Sequence, residues 1–149
     1  MPGILADPDG RDIAANQRGP VGSCLNTAMG SVINEIVIDC ADPERVAAFW
    51  GEALGWEPQR DAELMWMSAS GDPVDGGLSL VFAKVPELKT VKNRVHIDLS
   101  PSGCDQAEEV DRLVLLGASR IDIGQGDVPW IVLADPEGNE FCVLRGRRD

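Results

Sequence analysis

The chain has 149 residues, 44% of them hydrophobic, which suits one domain with one core. No apolar run reaches the roughly 20 residues that span a bilayer, and the N-terminus lacks a secretion signal, so a soluble cytoplasmic protein is expected. With 25 acidic against 13 basic residues, a formal net charge of −12, the surface disfavours nucleic acid and mildly favours neutral or cationic ligands over anions.

Met1 to Ser31 is rich in Gly, Pro, Asp and Asn without periodicity and reads as a flexible leader (residues 1–31) ahead of a domain at 32–149. Ile33 to Cys40 (INEIVIDC) has the β-branched content of a strand. Asp42 is placed to cap a helix, with Pro43 at its first position and Glu44 in its first turn. Val46, Phe49, Trp50, Ala53 and Leu54 then form one apolar stripe, and Gly55 closes the helix. Short strands are predicted at Trp56–Gln59, Glu63–Ser68 and Leu78–Val85, with turns at Gly71-Asp72-Pro73 and Asp75-Gly76-Gly77.

The same plan returns after a link at Pro86–Lys92. A strand is predicted at Arg94–Leu99, a helix at Cys104–Leu116 closed by Gly117, and strands near Ser119–Ile123, Trp130–Ala134 and Glu140–Arg145. Leu54-Gly55 matches Leu116-Gly117, Trp66 matches Trp130, and Asp72-Pro73 matches Asp135-Pro136, at offsets of 62, 64 and 63 residues. Two supersecondary units of about 33–85 and 93–145 follow. Neither can bury both faces of its sheet alone, so they are expected to pair. The cysteines, Cys24, Cys40, Cys104 and Cys142, are scattered without a CxxC pair, which argues against zinc or disulfide frameworks.

Three runs carry a family resemblance: Ile36 to Trp56 (IVIDCADPERVAAFWGEALGW), Lys92 to Leu99 (KNRVHIDL) and Trp130 to Leu144 (WIVLADPEGNEFCVL). Together they resemble the glyoxalase-like branch of the vicinal-oxygen-chelate superfamily, which includes glyoxalase I, extradiol dioxygenases, fosfomycin-resistance enzymes and bleomycin-resistance proteins. The resemblance implies an α+β fold, two βαβββ modules forming a curved mixed sheet around a cavity, often as a homodimer.

It also implies where a divalent metal (Zn, Ni, Mn or Fe) would be held, by side chains on the first and last strand of each module. Carried over residue by residue, those positions fall on Glu35, His96, Cys142 and Ser79. Glu35 and His96 are the plausible metal ligands and catalytic residues, Cys142 is a soft third and Ser79 a poor donor, so the full set is absent. Each has a plainer reading: His96 as a hydrogen-bonded cavity histidine, Glu35 as a solvated residue, Cys142 as a small buried hydrophobe. Arg94, His96 and Asp98 make a polar row on one strand face, expected to border a wet cavity, while Val95, Ile97 and Leu99 face the helix. Trp66 and Trp130, on matching strands, are candidates either for ligand stacking or for filling the core.

Two functions from different classes follow. One is a metal-free small-molecule-binding protein, as the bleomycin-resistance members are. The other is a metal-dependent lyase, isomerase or dioxygenase working through Glu35 and His96. A vestigial cavity on an interaction module is a third, with no feature specifically in its favour.

Overall fold

The computed structural model describes Ser31 and residues 33–71 and 77–146. Residues 1–30 of the leader, Asp72-Pro73 and Asp75-Gly76 lie outside the described residues. Residues from Ile33 onward form a compact unit. Its elements are β1 (Glu35–Cys40), α1 (Pro43–Leu54), β2 (Gln59–Asp61), β3 (Leu64–Ser68), β4 (Ser79–Lys84), β5 (Asp98–Leu99), α2 (Gln106–Leu116), β6 (Ser119–Arg120), β7 (Ile131–Ala134) and β8 (Glu140–Val143). They make two four-stranded sheets with the same order, β1-β4-β3-β2 and β5-β8-β7-β6. In each, the first and last strands of the module run parallel and the other pairs antiparallel. This is the expected α+β plan of paired βαβββ modules. None of the described helices is long and apolar enough to cross a membrane.

Helix α1 starts and stops where its residues dictate. The Asp42 carboxylate accepts from Arg45 N, Pro43 needs no partner for an N–H, and Gly55 takes the left-handed turn at φ 69°. Gly51, inside the helix, is there for space: a Cβ would stand 2.7 Å from Pro58 Cγ and 3.0 Å from the Trp56 carbonyl. Helix α2 begins two residues later than the apolar pattern suggests. Asp105 and Glu108 form a reciprocal capping box, which leaves Cys104 outside the helix.

One core serves both modules. Val46, Phe49 and Trp50 of α1 pack with Leu80 and Phe82 of the first sheet and with Leu133, Phe141 and Val143 of the second. The rings of Phe49, Trp50 and Phe141 meet at centroid distances of 5.1 to 5.9 Å. Polar contacts reinforce the join. Asp135 accepts from Trp50 Nε1 at 3.2 Å and also from the backbone N–H groups of Glu137 and Asn139. The Glu137 carboxylate accepts from Ala41 N at 2.7 Å and Asp42 N at 2.6 Å, at the start of α1. The Asp135–Asn139 segment is therefore a clasp between modules as well as the expected turn, with Gly138 left-handed at φ 88°. At the other end of α1, which has no basic residue in its last turn, Arg112 of α2 donates to the carbonyls of Glu52 and Ala53. That places a cation at the negative end of the helix dipole. Arg112 also holds Glu109 at 2.8 Å, and this hydrogen bond outweighs burial to keep the Glu109 carboxyl below its ordinary value.

The largest departure from the sequence expectation is β5. A strand over Arg94–Leu99 is predicted; the ladder holds only Asp98 and Leu99. The preceding residues are taken up by another structure, a strap anchored on Glu140. Lys89 Nζ and Asn93 N each donate to that carboxylate at 2.9 Å, and the Asn93 carbonyl lies 3.1 Å from His96 Nε2. The Ile97 carbonyl still accepts from Cys142 N at 2.9 Å, so the ladder begins there and the strap takes up the residues before it.

Candidate functional site

Alternation and cross-strand register assign each residue of the first sheet to a face. Ile36, Ile38 and Cys40 share a face with Leu80, Phe82, Met65 and Met67, and most of these pack against the core. The opposite face carries three cross-strand rows: Glu35, Ser79 and Ser68; Val37, Val81, Trp66 and Gln59; Asp39, Ala83, Leu64 and Asp61. Above it lies a trough of about 760 Å³, lined by Glu35, Gln59, Asp61, Leu64, Trp66, Ser79 and Val81 among others.

Three sequence-predicted residues, Glu35, Ser79 and Trp66, thus meet in one place. Ser79 is 4% exposed. Its backbone N–H is bonded to the Asn34 carbonyl. Trp66 is half-buried. Gln59 commits one amide N–H to the Gly71 carbonyl. Gln59 and Asp61 were not foreseen, because the predicted strand ended where β2 begins. Their period-two spacing beside the partner of Trp66 is the signal that could have found them.

The remaining candidates lie elsewhere. Arg94 lines a smaller cleft of about 370 Å³ with Ile36–Asp39 and Asn93, at the free edge of β1. Asp98 lines a third cavity of about 860 Å³ near the end of α1, with Ser100, Cys104 and Arg112. There the obvious polar groups, Arg112 and Glu109, already satisfy each other. Trp130 stands 37% exposed just before β7 and is not part of the trough. Of the row Val95, Ile97 and Leu99, the last two pack on the core, but Val95 is 76% exposed.

His96 sits with Cys142, its Nδ1 3.8 Å from the sulfur. None of the described cavities is lined by both His96 and Glu35. Their presumed equivalence is also corrected. Glu35 stands opposite Ser79 in its parallel ladder, and Asp98 stands opposite Cys142 in its own. Both pairs, like the helix caps Asp42 and Asp105, are offset by 63 residues, so the counterpart of Glu35 is Asp98; His96 belongs to the strap.

The metal positions implied by the resemblance do not assemble into a complete centre. Ser79 offers a neutral hydroxyl, a weak donor. Burial, with the Asp98 carboxylate nearby, pushes the Cys142 thiol up to about 11, so without a metal it stays protonated near neutral pH. Among the described residues no three His, Cys, Asp or Glu side chains are grouped to hold an ion. These residues do not fit a full divalent-metal site.

Comparison with known proteins agrees with this architecture. The sequence model of the glyoxalase-like domain matches residues 35–144. No curated protein sequence is a significant match. Among solved structures, a glyoxalase/bleomycin resistance protein/dioxygenase family enzyme from Burkholderia phytofirmans superposes with a TM-score of 0.52 at 20% identity, covering 76% of this chain and 97% of that one. Glyoxalase I of Leishmania major gives 0.55 at 17% identity, covering 78% and 87%. A mutant of the fosfomycin resistance protein FosX from Listeria monocytogenes, complexed with Mn(II) and a dihydroxypropylphosphonic acid, gives 0.58 at 18% identity, covering 80% and 93%. These likenesses establish the fold. The family match over most of the length, on a skeleton of two βαβββ modules, makes this chain a member of the glyoxalase-like domain family of the vicinal-oxygen-chelate superfamily.

Proposed function

We propose that the chain is a small-molecule-binding glyoxalase-like protein whose ligand lies in the trough over the first sheet. The observation that carries this reading is the meeting of the Glu35 carboxylate, the 4%-exposed Ser79 and the half-buried ring of Trp66 on the wall of one trough. Trp66 offers an apolar surface, while Ser79 and Gln59 offer directional hydrogen bonds, the combination that orients small ligands in largely apolar sites. The trough volume, about 760 Å³, suits a molecule of metabolite or drug size.

The metal-dependent lyase, isomerase or dioxygenase reading has one feature in its favour, the closeness of Cys142 to both His96 and Asp98. It needs Glu35 to act with His96, and His96 is not among the residues lining the trough that holds Glu35. Val37, Leu64, Leu78 and Val95, exposed at 39% or more, surround the trough and the neighbouring cleft. A homodimer would cover this apolar rim and so enclose the ligand. Sedimentation velocity at micromolar concentration should show a dimer; a monomer at all concentrations removes that element of the proposal.

The binding reading is tested by thermal shift against a metabolite library, repeated on Trp66→Ala. A ligand at 100 times its dissociation constant should stabilise the protein by about 2.7 kcal/mol. That gain should vanish in the variant. Hits that stabilise both proteins equally place the ligand outside the trough, and stoichiometric metal lost on His96→Ala would transfer the case to the enzyme reading.

A further inference from the structure

In a chain of net charge −12, one segment is basic. Lys84, Lys89, Lys92 and Arg94, four of the 13 lysines and arginines, fall in residues 84–94, where the only acid is Glu87. Lys89 is taken by Glu140, but Lys92 and Arg94 make no hydrogen bond or ion pair among the described residues. Beside them Val91 and Val95 each stand 76% exposed. The strap thus shows solvent a group of apolar side chains flanked by cations. Its complement is an apolar surface rimmed by carboxylates.

That complement lies next to it on the same molecule. The cleft at the free edge of β1 is lined on one side by Val37 and Asp39 and on the other by Arg94 and Val95. Val37, 52% exposed, shares its sheet face and its cross-strand row with Val81 and Trp66 of the trough. The surface is therefore continuous from the trough, over Val37, to the strap. Its trough end carries Glu35 and Asp61 beside the exposed Leu64, and neither carboxylate has a hydrogen bond or ion pair among the described residues. Arg60 also lines that end, but its guanidinium is paired with Glu44 of α1. With acids at one end, cations at the other and valines between, a half turn about the middle lays each end on its opposite in a second copy. This is the self-complementarity that an isologous interface requires.

We propose that a second copy of this chain docks about a two-fold axis near Val37, the basic strap of each subunit covering the acidic rim of the other's trough. The inference rests on the trough being the binding site and adds what closes it. Each trough is then completed by cations it lacks alone, Lys92 and Arg94 of the partner subunit.

Charge reversal tests the pairing. One variant reverses the strap (Lys92→Glu with Arg94→Glu) and another the trough rim (Glu35→Lys with Asp61→Lys); all four positions are exposed, so the fold should tolerate the changes, which circular dichroism verifies. In sedimentation velocity at micromolar concentration the wild-type protein should be a dimer that weakens with added salt. Each variant alone sets like charges against each other in both contacts, and its dimer dissociation constant should rise by at least about tenfold. Mixed in equal amounts, the two variants oppose unlike charges in both contacts, so the dimer should return. It should also return when all four changes are made in one chain. A dimer that the reversals leave intact, or one that they weaken and mixing does not restore, overturns the proposal, while the trough reading stands on its library screen. A wild-type monomer at all concentrations overturns the proposal together with the expected homodimer, and again leaves the screen to judge the trough. Growth beyond two subunits overturns the two-fold arrangement.

Discussion

Ser79 and Cys142 occupy equivalent places in the two halves, each on the last strand of its module, opposite Glu35 in one and Asp98 in the other. Both are 4% exposed. Yet the hydroxyl opens onto a trough, and the thiol is engaged by His96 and Asp98. The source of the difference lies two residues upstream. Glu140, ahead of Cys142, holds the strap through Lys89 and Asn93; the corresponding position ahead of Ser79 is Gly77, which has no side chain to hold anything. Gly77 lines the trough instead. A duplicated unit has thus kept its backbone plan twice while one copy leaves its face open and the other ties a connection to it.

If the halves differ only on that face and share one core, the sharpest way to break the comparison is to cut the core. Phe141 is 1% exposed and meets both Phe49 and Trp50 across the modules. Phe141→Ala should cost about 3–5 kcal/mol, the range for emptying a buried aromatic site. Urea unfolding followed by tryptophan fluorescence and by circular dichroism should give coincident single transitions, because Trp50 loses its partner from the other module at the same moment. Two separate transitions would mean that the modules are independent units and that the shared core is nominal.

The sequence made this common architecture readable and the local asymmetry much less so. Both helices, the Asp42 cap and the two closing glycines follow from short-range chemistry, which periodicity and turn residues record directly, whereas the Asp105 cap shows only in the structure. The trough is partly legible: Glu35, Ser79 and Trp66 stand out as candidate metal or ligand-binding residues, while Gln59 and Asp61 do not. The strap was not legible, since RVHIDL alternates as a strand should and only the long-range bonds from Lys89 and Asn93 to Glu140 show otherwise. For the same reason Glu137 reads as a turn residue until its carboxylate is seen on Ala41 and Asp42, 96 and 95 residues away in the chain.

A smaller perturbation tests the strap itself. Burial would raise the Glu140 pKa, but the Asn93 N–H and the Lys89 ammonium more than offset it, and the carboxyl lies below its ordinary 4.5. A carboxyl held lower in the folded state than in the unfolded chain stabilises the fold fully above the unfolded value and loses that stabilisation as pH falls through the folded one. Wild-type stability should therefore decline below about pH 4.5 with a contribution that Glu140→Gln lacks. At neutral pH the variant should be less stable by about 1–2 kcal/mol, because Lys89 and Asn93 exchange a charged acceptor for a neutral one. Hydrogen exchange adds the spatial reading: protection at the Asn93 amide should fall in Glu140→Gln, while the amides of β3 and β4 under the trough stay as they were. If exchange accelerates equally in both sheets, Glu140 supports the whole fold and the contrast between an open face and a strapped one loses its cause.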